Sequence, residues 1–136
     1  QREEFGRALI AQNPKGFDLV SVHLYPHHRR KFFDGENADY DDLLAEAIRT
    51  SSSAGKALFI GEFGVSDEKG QDARREFSEM LAAIDRSGVS LAALWVFDFK
   101  FQDSTYNVTP EGRRAYQLEA IAALNKKFVR EGRLCR

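Results

Sequence analysis

Three apolar runs that alternate with amphipathic segments constrain the fold of this chain more than any other feature. The runs cover residues 17–25 (FDLVSVHLY), 57–63 (ALFIGEF) and 91–97 (LAALWVF). Such runs are typical of strands in a parallel sheet whose faces are covered by helices. The predicted helices cover residues 2–12, 39–52, 72–86 and 111–128. We therefore predict an α/β fold of three parallel strand–helix units preceded by one helix, with right-handed crossovers.

The composition limits the classes of function. The 136 residues are enough for one compact domain, with 43% hydrophobic residues, 30% charged residues and a net charge of −1. A nucleic-acid surface needs a clear basic excess, and a membrane span needs roughly 20 consecutive apolar residues. The sequence has neither, so we expect no nucleic-acid partner and no membrane partner. Its single cysteine, Cys135, cannot form an internal disulfide, which leaves the redox compartment open.

The predicted loops differ between the two ends of the sheet. Helix-to-strand connections are short and contain a glycine (SSAGK and RSGVS), as expected after a helix that ends in a left-handed residue. Strand-to-helix connections are long and cover residues 26–38, 64–71 and 98–110. Because α/β folds place their sites beyond the carboxyl ends of the strands, we expect the functional residues at that edge.

Alternation of side chains along a strand suggests which residues meet at this edge. Ser21, His23 and Tyr25 share one side of the first strand. On the second strand the alternation aligns Leu58, Ile60 and Glu62, and on the third it aligns Leu91, Ala93, Trp95 and Phe97. If the polar side of the first strand faces inward, His23, Tyr25, Glu62 and Trp95 all reach one pocket.

Each of these four residues also has a purely structural explanation. A glutamate at a strand end can be solvated or ion-paired, and a single histidine can be a satisfied, half-buried imidazole. Trp95 has apolar neighbours that suit a core, and Tyr25 precedes Pro26, where a turn can begin. The arrival of all four at the same edge of three consecutive strands favours a shared site.

The segments VSVHLYPHH, ALFIGEFGVSD and SLAALWVFDF resemble the last three strands of the cellulase-like enzymes of glycoside hydrolase family 5, in clan A. These are retaining hydrolases built on a (β/α)8 TIM barrel. The later YNVTPEGRRAYQLEAIAAL is similar to the final helix and its lead-in, so the resemblance covers nearly the whole chain. It implies that residues 1–136 are a single domain, the C-terminal portion of the barrel, with strands six to eight and a preceding helix.

The resemblance also implies roles for individual residues. Glu62 is expected to be the catalytic nucleophile, and Tyr25 the hydroxyl that holds its carboxylate by a hydrogen bond. His23 is expected to contact a substrate hydroxyl, and Trp95 to form the platform under the sugar. The implied substrate is a β-linked polysaccharide or oligosaccharide, without a cofactor or metal. We interpret Asp98, His27 and His28 as solvated loop residues.

The acid/base carboxyl group of a retaining glycosidase is not recognisable in the sequence. In the family this glutamate follows an asparagine at the end of the fourth strand, and no Asn-Glu pair lies at a predicted strand end here. A full barrel takes roughly 250 residues. We therefore predict that the chain is inactive alone, and that it associates with a missing N-terminal barrel part or with itself.

Two other interpretations remain open. A metal-dependent hydrolase on a similar barrel would use His23, Glu62, His27 or Asp98 as ligands. A non-catalytic carbohydrate-binding or structural module would keep the aromatic platform without the acid. The segment Asn107-Val108-Thr109 matches a glycosylation acceptor, but the motif is short and Pro110 follows it, so we interpret it as a chance match.

Overall fold

The computed structural model describes residues 2–27, 38–66, 72–102 and 105–133 of the 136-residue chain. Helices and strands alternate along it. They are α1 Arg2–Gln12, β1 Leu19–Leu24, α2 Tyr40–Ser53, β2 Ala57–Phe63, α3 Ala73–Ser87, β3 Ala92–Leu94 and α4 Ala115–Arg130, with a short 3₁₀ turn at Lys100–Gln102. Within the described residues no helix is both long and apolar enough to cross a membrane.

The three strands form one parallel sheet in the order β1-β2-β3. The predicted fold class is therefore confirmed, and β2 has the predicted bounds. The other two strands are shorter than the predicted ranges 17–25 and 91–97. Phe17 is 64% exposed and lies outside β1, and Phe97 pairs with Val108 instead of continuing β3.

The main core lies between the sheet and the helices. Leu24, Ile60 and Phe63 from β1 and β2 pack against side chains of α2 and α3, among them Leu44 and Phe77. A smaller cluster joins α1 to the same face of the sheet through Leu9, Val20 and Ala47. The opposite face, which carries Ser21 and Phe59, contributes to neither cluster.

The helix ends follow the local sequence signals. Asp39 caps α2 in a reciprocal capping box with Asp42, and Asp72 caps α3 by accepting from a backbone N–H of its first turn. Gly55 and Gly88 adopt φ values of 67° and 72°, which confirms the predicted left-handed residues after α2 and α3. Both connections therefore return the chain directly to the amino end of the next strand.

The last helix begins later than predicted. α4 starts at Ala115 rather than Glu111 because the preceding residues form tight turns, with the Gly112 N–H donating to Thr109 O and the Ala115 N–H to Gly112 O. The buried Arg114 guanidinium donates to the carbonyl of Asn107. This contact fixes the long connection between β3 and α4 against the start of the helix.

Candidate active site

A β-bulge in β2 determines where Glu62 points. Val22 pairs with Ile60 and the next residue, His23, pairs with Glu62, so Gly61 is left out of the ladder. Ile60 therefore faces the helices with Val22, whereas Glu62 faces the opposite side with His23. The prediction that Leu58, Ile60 and Glu62 share one face was wrong. The extra residue Gly61 shifts the alternation of side chains, so the residues after it face the other way. The bulge redirects the acid away from the helix-covered core.

The two glycines around Glu62 and Phe63 lie where neighbouring chain segments approach closely. A Cβ atom at Gly61 would lie 2.3 Å from Ser21 Oγ. A Cβ atom at Gly64 would lie 2.4 Å from the backbone oxygen of Trp95. Distances this short exclude a side chain unless the neighbour moves. The Gly-Glu-Phe-Gly segment therefore lets the ends of β1 and β3 close tightly on both sides of the acid.

The Glu62 carboxylate is held by two side chains from the β1 segment. The Tyr25 hydroxyl donates to Glu62 Oε2 at 2.6 Å, and His23 Nδ1 lies 3.2 Å from the same oxygen. The Glu62 side chain is 25% exposed and the His23 side chain 48%. Among the described residues, no side chain hydrogen-bonds Glu62 Oε1. One oxygen of the carboxylate is thus oriented by the protein, and the carboxylate still reaches solvent.

Tyr25 is held beside Glu62 by burial and by contacts of its ring. Burial, followed by the hydrogen bond to Glu62, raises the pKa of the Tyr25 phenol far above its ordinary value. The phenol therefore keeps its proton and remains a donor. Its ring contacts Tyr106 edge-on, with centroids 5.5 Å apart, and stacks on His27 at 5.6 Å. Tyr106 lies in the connection between β3 and α4, so this connection supports the Tyr25 ring.

Trp95 lies directly after β3, beside the end of β2. Its backbone N–H donates to the carbonyl of Phe63 at 2.8 Å, and the peptide bond to Val96 is cis. The indole ring neighbours Phe99, with centroids 6.5 Å apart. The structure thus places His23, Tyr25, Glu62 and Trp95 at the carboxyl edge of three adjacent strands; their catalytic and binding roles stay predictions.

The loop residues considered from the sequence occupy different positions. Asp98 is exposed, with a φ of 46°, and its N–H donates to the carbonyl of Val108. His27 is exposed and stacks on Tyr25, and His28 lies outside the described residues. In the part of the chain that the structure describes, no three or more His, Cys, Asp or Glu side chains form a group that could hold a metal ion.

Sequence reasoning missed three contributions to this edge of the sheet. The Gly61 bulge has no signal other than a glycine inside an apolar strand, which is itself a recognised sign of a bulge. Tyr106 supports Tyr25, and the buried Asn107 accepts from the Phe99 N–H through its side-chain oxygen. Because Asn107 is buried and hydrogen-bonded, it has a structural role that is independent of its sequon.

The three parallel strands and their flanking helices form part of a (β/α)8 barrel. The Glu62 carboxylate lies at the carboxyl edge of these strands. Residues 6–100 match the family model for Cellulase (glycosyl hydrolase family 5). The chain belongs to this family.

Solved structures of similar fold include two described as endo-mannanases and one described as a mannosidase. One is the hyperthermostable endo-1,4-beta-D-mannanase from Thermotoga petrophila RKU-1, with 14% identity and a TM-score of 0.56. The match covers 81% of this chain and 34% of that chain. A second structure of the endo-beta-1,4-mannanase from Thermotoga petrophila has 16% identity and a TM-score of 0.57, with 81% of this chain and 26% of that chain covered.

A third is the glycoside hydrolase family 5 mannosidase from Rhizomucor miehei (13% identity, TM-score 0.57), with 96% of this chain and 42% of that chain covered. The chain thus spans less than half of each of these structures, which at such identities establish the fold alone. No curated protein shows a significant sequence match.

Proposed function

We propose that this chain supplies the nucleophile of a retaining β-glycoside hydrolase, endo-glucanase-like or mannanase-like, that acts on a β-linked polysaccharide or oligosaccharide. The hydrogen bond of 2.6 Å from the Tyr25 hydroxyl to Glu62 Oε2 is the observation that carries the proposal. A nucleophilic carboxylate must be aimed at the anomeric carbon, and a phenol that keeps its proton is a fixed donor for that purpose. Membership of glycosyl hydrolase family 5 supports glycoside hydrolysis as the reaction class.

The two oxygens of Glu62 have different tasks in this proposal. Oε2 is held by Tyr25 and His23. Oε1 attacks the anomeric carbon, the bond from that carbon to the leaving oxygen breaks, and a glycosyl ester of Glu62 forms. Water then cleaves the ester and restores the carboxylate. Trp95 lies at the same edge as the platform for the sugar, because an aromatic face suits the C–H side of a pyranose.

His23 takes part in both orientation and substrate contact. Its Nδ1 faces Glu62, while nearly half of the side chain is exposed on the sheet face that carries Glu62. An imidazole at the edge of a polar pocket offers hydrogen bonds to a sugar hydroxyl. His23 is therefore proposed to link the substrate to the carboxylate that attacks it.

The acid/base carboxyl group is proposed to come from outside this chain. Retaining hydrolysis requires a second carboxyl group about 5–5.5 Å from the nucleophile. We assign residues 1–136 to strands six to eight of the barrel, so the partner is the N-terminal barrel part, or self-association occurs in its absence. On a natural glucan or mannan, whose leaving alkoxide needs a proton, the chain alone is expected to show little or no hydrolysis.

An activated glycoside tests the nucleophile without the acid. Dinitrophenyl 2-deoxy-2-fluoro-β-mannoside and its β-glucoside counterpart release dinitrophenolate, which leaves with the electron pair and needs no proton. The fluorine slows the hydrolysis of the glycosyl ester, so the sugar remains attached. We expect one added fluoroglycosyl group by intact-protein mass spectrometry and its location on Glu62 by peptide mapping.

Two glutamate variants control this experiment. Glu62→Gln should abolish the labelling, and Glu79→Gln, which changes an exposed carboxylate on α3, should leave it intact. Labelling at another residue, or none with either glycoside, would overturn the assignment of Glu62. Sugar binding without labelling would instead favour the non-catalytic carbohydrate-binding module.

A further inference from the structure

Residues 106–108 lie alongside the segment that follows β3 and are joined to it by backbone hydrogen bonds. The Val108 N–H donates to the carbonyl of Val96 at 2.8 Å, and the Val96 N–H donates to the carbonyl of Tyr106 at 3.4 Å. Phe97 and Val108 form a parallel bridge, and Val108 is fully buried. The backbone of this segment is therefore held at the carboxyl edge of the sheet.

Arg114 holds the same segment from the side of α4. Its guanidinium belongs to a buried residue and donates to the carbonyl of Asn107 at 2.8 Å. The Asn107 side chain in turn accepts from the Phe99 N–H at 2.7 Å. Because a buried cationic group is costly unless it is hydrogen-bonded, the contact with Arg114 resists displacement of the segment. Residues 106–108 are thus hydrogen-bonded on two sides.

The Tyr106 side chain reaches from this segment to both parts of the Glu62 site. Its ring meets the Tyr25 ring edge-on, with centroids 5.5 Å apart and 75° between the planes, a favoured geometry for two aromatic rings. A Cβ atom at Gly64 would lie 3.5 Å from Tyr106 Cδ1, which is an ordinary van der Waals distance. Tyr106 therefore lies against the chain just beyond Glu62 and against the residue that donates to Glu62.

The position of the Tyr25 ring determines whether its hydroxyl can hold the carboxylate. The hydroxyl donates to Glu62 Oε2 at 2.6 Å, and a hydrogen bond weakens steeply when its distance and angle depart from this kind of geometry. His27 also stacks on the Tyr25 ring, but His27 is exposed. Tyr106 is half-buried and lies on the doubly hydrogen-bonded segment, so its ring is the firmer support.

We propose that Tyr106 is a positioning residue for the attack by Glu62, in which its ring holds the Tyr25 phenol where the hydroxyl donates to the carboxylate. The proposal deepens the glycosidase function and rests on it. Tyr106 acts on Glu62 only through Tyr25, so its contribution depends on the presence of the Tyr25 hydroxyl. The connection between β3 and α4 thereby takes part in the reaction without contacting the sugar.

The first measurement is the rate at which the activated fluoroglycosides label Glu62, followed by intact-protein mass spectrometry at several glycoside concentrations. Tyr106→Leu removes the ring and should lower the maximal labelling rate by roughly 3- to 10-fold. The glycoside concentration at half the maximal rate should change by less than about twofold, because ground-state binding of the sugar is unaffected. Tyr106→Phe keeps the ring edge, so its maximal rate should stay within about twofold of the unmodified chain.

The double variant Tyr25→Phe with Tyr106→Leu shows whether the effect passes through the Tyr25 hydroxyl. It should be labelled as slowly as Tyr25→Phe alone, because no hydroxyl remains to be positioned. Tyr116→Leu is the matched control, since the Tyr116 ring meets Phe77 edge-on in the helical layer, with centroids 6.0 Å apart. This control should leave the labelling rate unchanged.

Three kinetic outcomes would overturn the positioning role. They are an unchanged rate in Tyr106→Leu, a Tyr106→Phe variant as slow as Tyr106→Leu, and a slowing by Tyr106→Leu that persists in full in the Tyr25→Phe background. Urea unfolding checks that Tyr106→Leu is folded, and Tyr106→Met replaces it if it is not.

An NMR measurement keeps the test independent of the reaction. The Tyr25 hydroxyl proton should appear as a slowly exchanging resonance that is missing in Tyr25→Phe. Tyr106→Phe should keep this resonance and Tyr106→Leu should lose it, whereas its persistence in Tyr106→Leu would overturn the positioning role. Failure of the unmodified chain to be labelled would overturn the glycosidase function, and the hydroxyl resonance would still show whether Tyr106 positions Tyr25.

Discussion

His23 on β1 and Glu62 on β2 are paired with each other because Gly61 has no partner in the pairing of the two strands. The pair before the bulge, Val22 and Ile60, faces the helices, and the first pair after it, His23 and Glu62, faces the opposite side of the sheet. A single unpaired glycine thus converts an apolar strand into the support of a carboxylate. The carboxylate therefore lies on a strand whose other side is buried, with Ile60 0% and Phe63 3% exposed.

The glycines on either side of this acid are expected to differ in their tolerance of a methyl group. Gly64→Ala should lower the free energy of unfolding by about 1–3 kcal/mol, because the new Cβ meets the backbone oxygen of Trp95 at 2.4 Å. Gly61→Ala should lower it less, because its clash is with Ser21 Oγ, which can rotate away. Urea unfolding measures both, and Ser21→Ala combined with Gly61→Ala should recover most of the smaller loss. Equal losses at the two glycines would contradict this account of the close approach.

The Tyr25 hydroxyl is expected to contribute to reactivity at Glu62. Tyr25→Phe removes one donor to a carboxylate, an interaction of about 1.5–3 kcal/mol, so labelling of Glu62 by the activated glycoside should slow by roughly tenfold or more. The comparison is Tyr40→Phe, which removes a similar bond of 3.0 Å to Glu76 in the helical layer. Mass spectrometry over time gives the rates. A Tyr25→Phe variant that is labelled as fast as the unmodified chain would show that the hydrogen bond does not assist attack.

Sequence reasoning located the elements well where a signal is local. β2 was predicted with its full bounds because an apolar run there ends at glycines, and the glycines after α2 and α3 were placed correctly. The strand over residues 91–97 was predicted too long because apolar character was taken to mean burial. Phe97 is instead more than half exposed and pairs with Val108.

The prediction of the candidate site depended on more than local sequence signals. Side-chain alternation brought the four residues to one edge, and the resemblance to glycoside hydrolase family 5 supplied their expected roles. The same alternation placed Glu62 with Ile60 on one face, which was wrong. A bulge is a property of two paired strands, so the close approach of Ser21 to Gly61 cannot be derived from one strand's pattern. The support of Tyr25 by Tyr106 spans 81 positions of the sequence, and no local periodicity predicts it.

The raised pKa of Tyr25 predicts a loss of stability at alkaline pH. In the unfolded chain the phenol titrates near 10, whereas the folded protein keeps its proton to higher pH. Below pH 10 both states are protonated and the contribution of Tyr25 to stability is fully present. Above pH 10 the unfolded chain releases the proton, so the free energy of unfolding should fall by up to about 1.4 kcal/mol per pH unit. Urea unfolding from pH 8 to 11 should show a steeper decline in the free energy of unfolding than in Tyr25→Phe, in which this phenol is absent. Parallel declines would refute the raised pKa of Tyr25.

The sheet face that carries Glu62 is expected to make the isolated chain self-associate. Leu19 and Leu91, at the amino ends of β1 and β3, are 46% and 60% exposed, and neither side chain belongs to a core cluster. One amide of the β1 segment is already satisfied, since the Ser21 N–H donates to Asn13 Oδ1. We therefore expect association through the apolar face rather than through strand addition at that amide.

Sedimentation velocity tests this association. It should show a concentration-dependent increase in mass, and Leu91→Glu should reduce that increase by adding charge to the face. Val129→Glu, a change at a 60% exposed residue of α4, should not reduce it. A monomer that persists at high concentration would leave the N-terminal barrel part as the partner that covers this face.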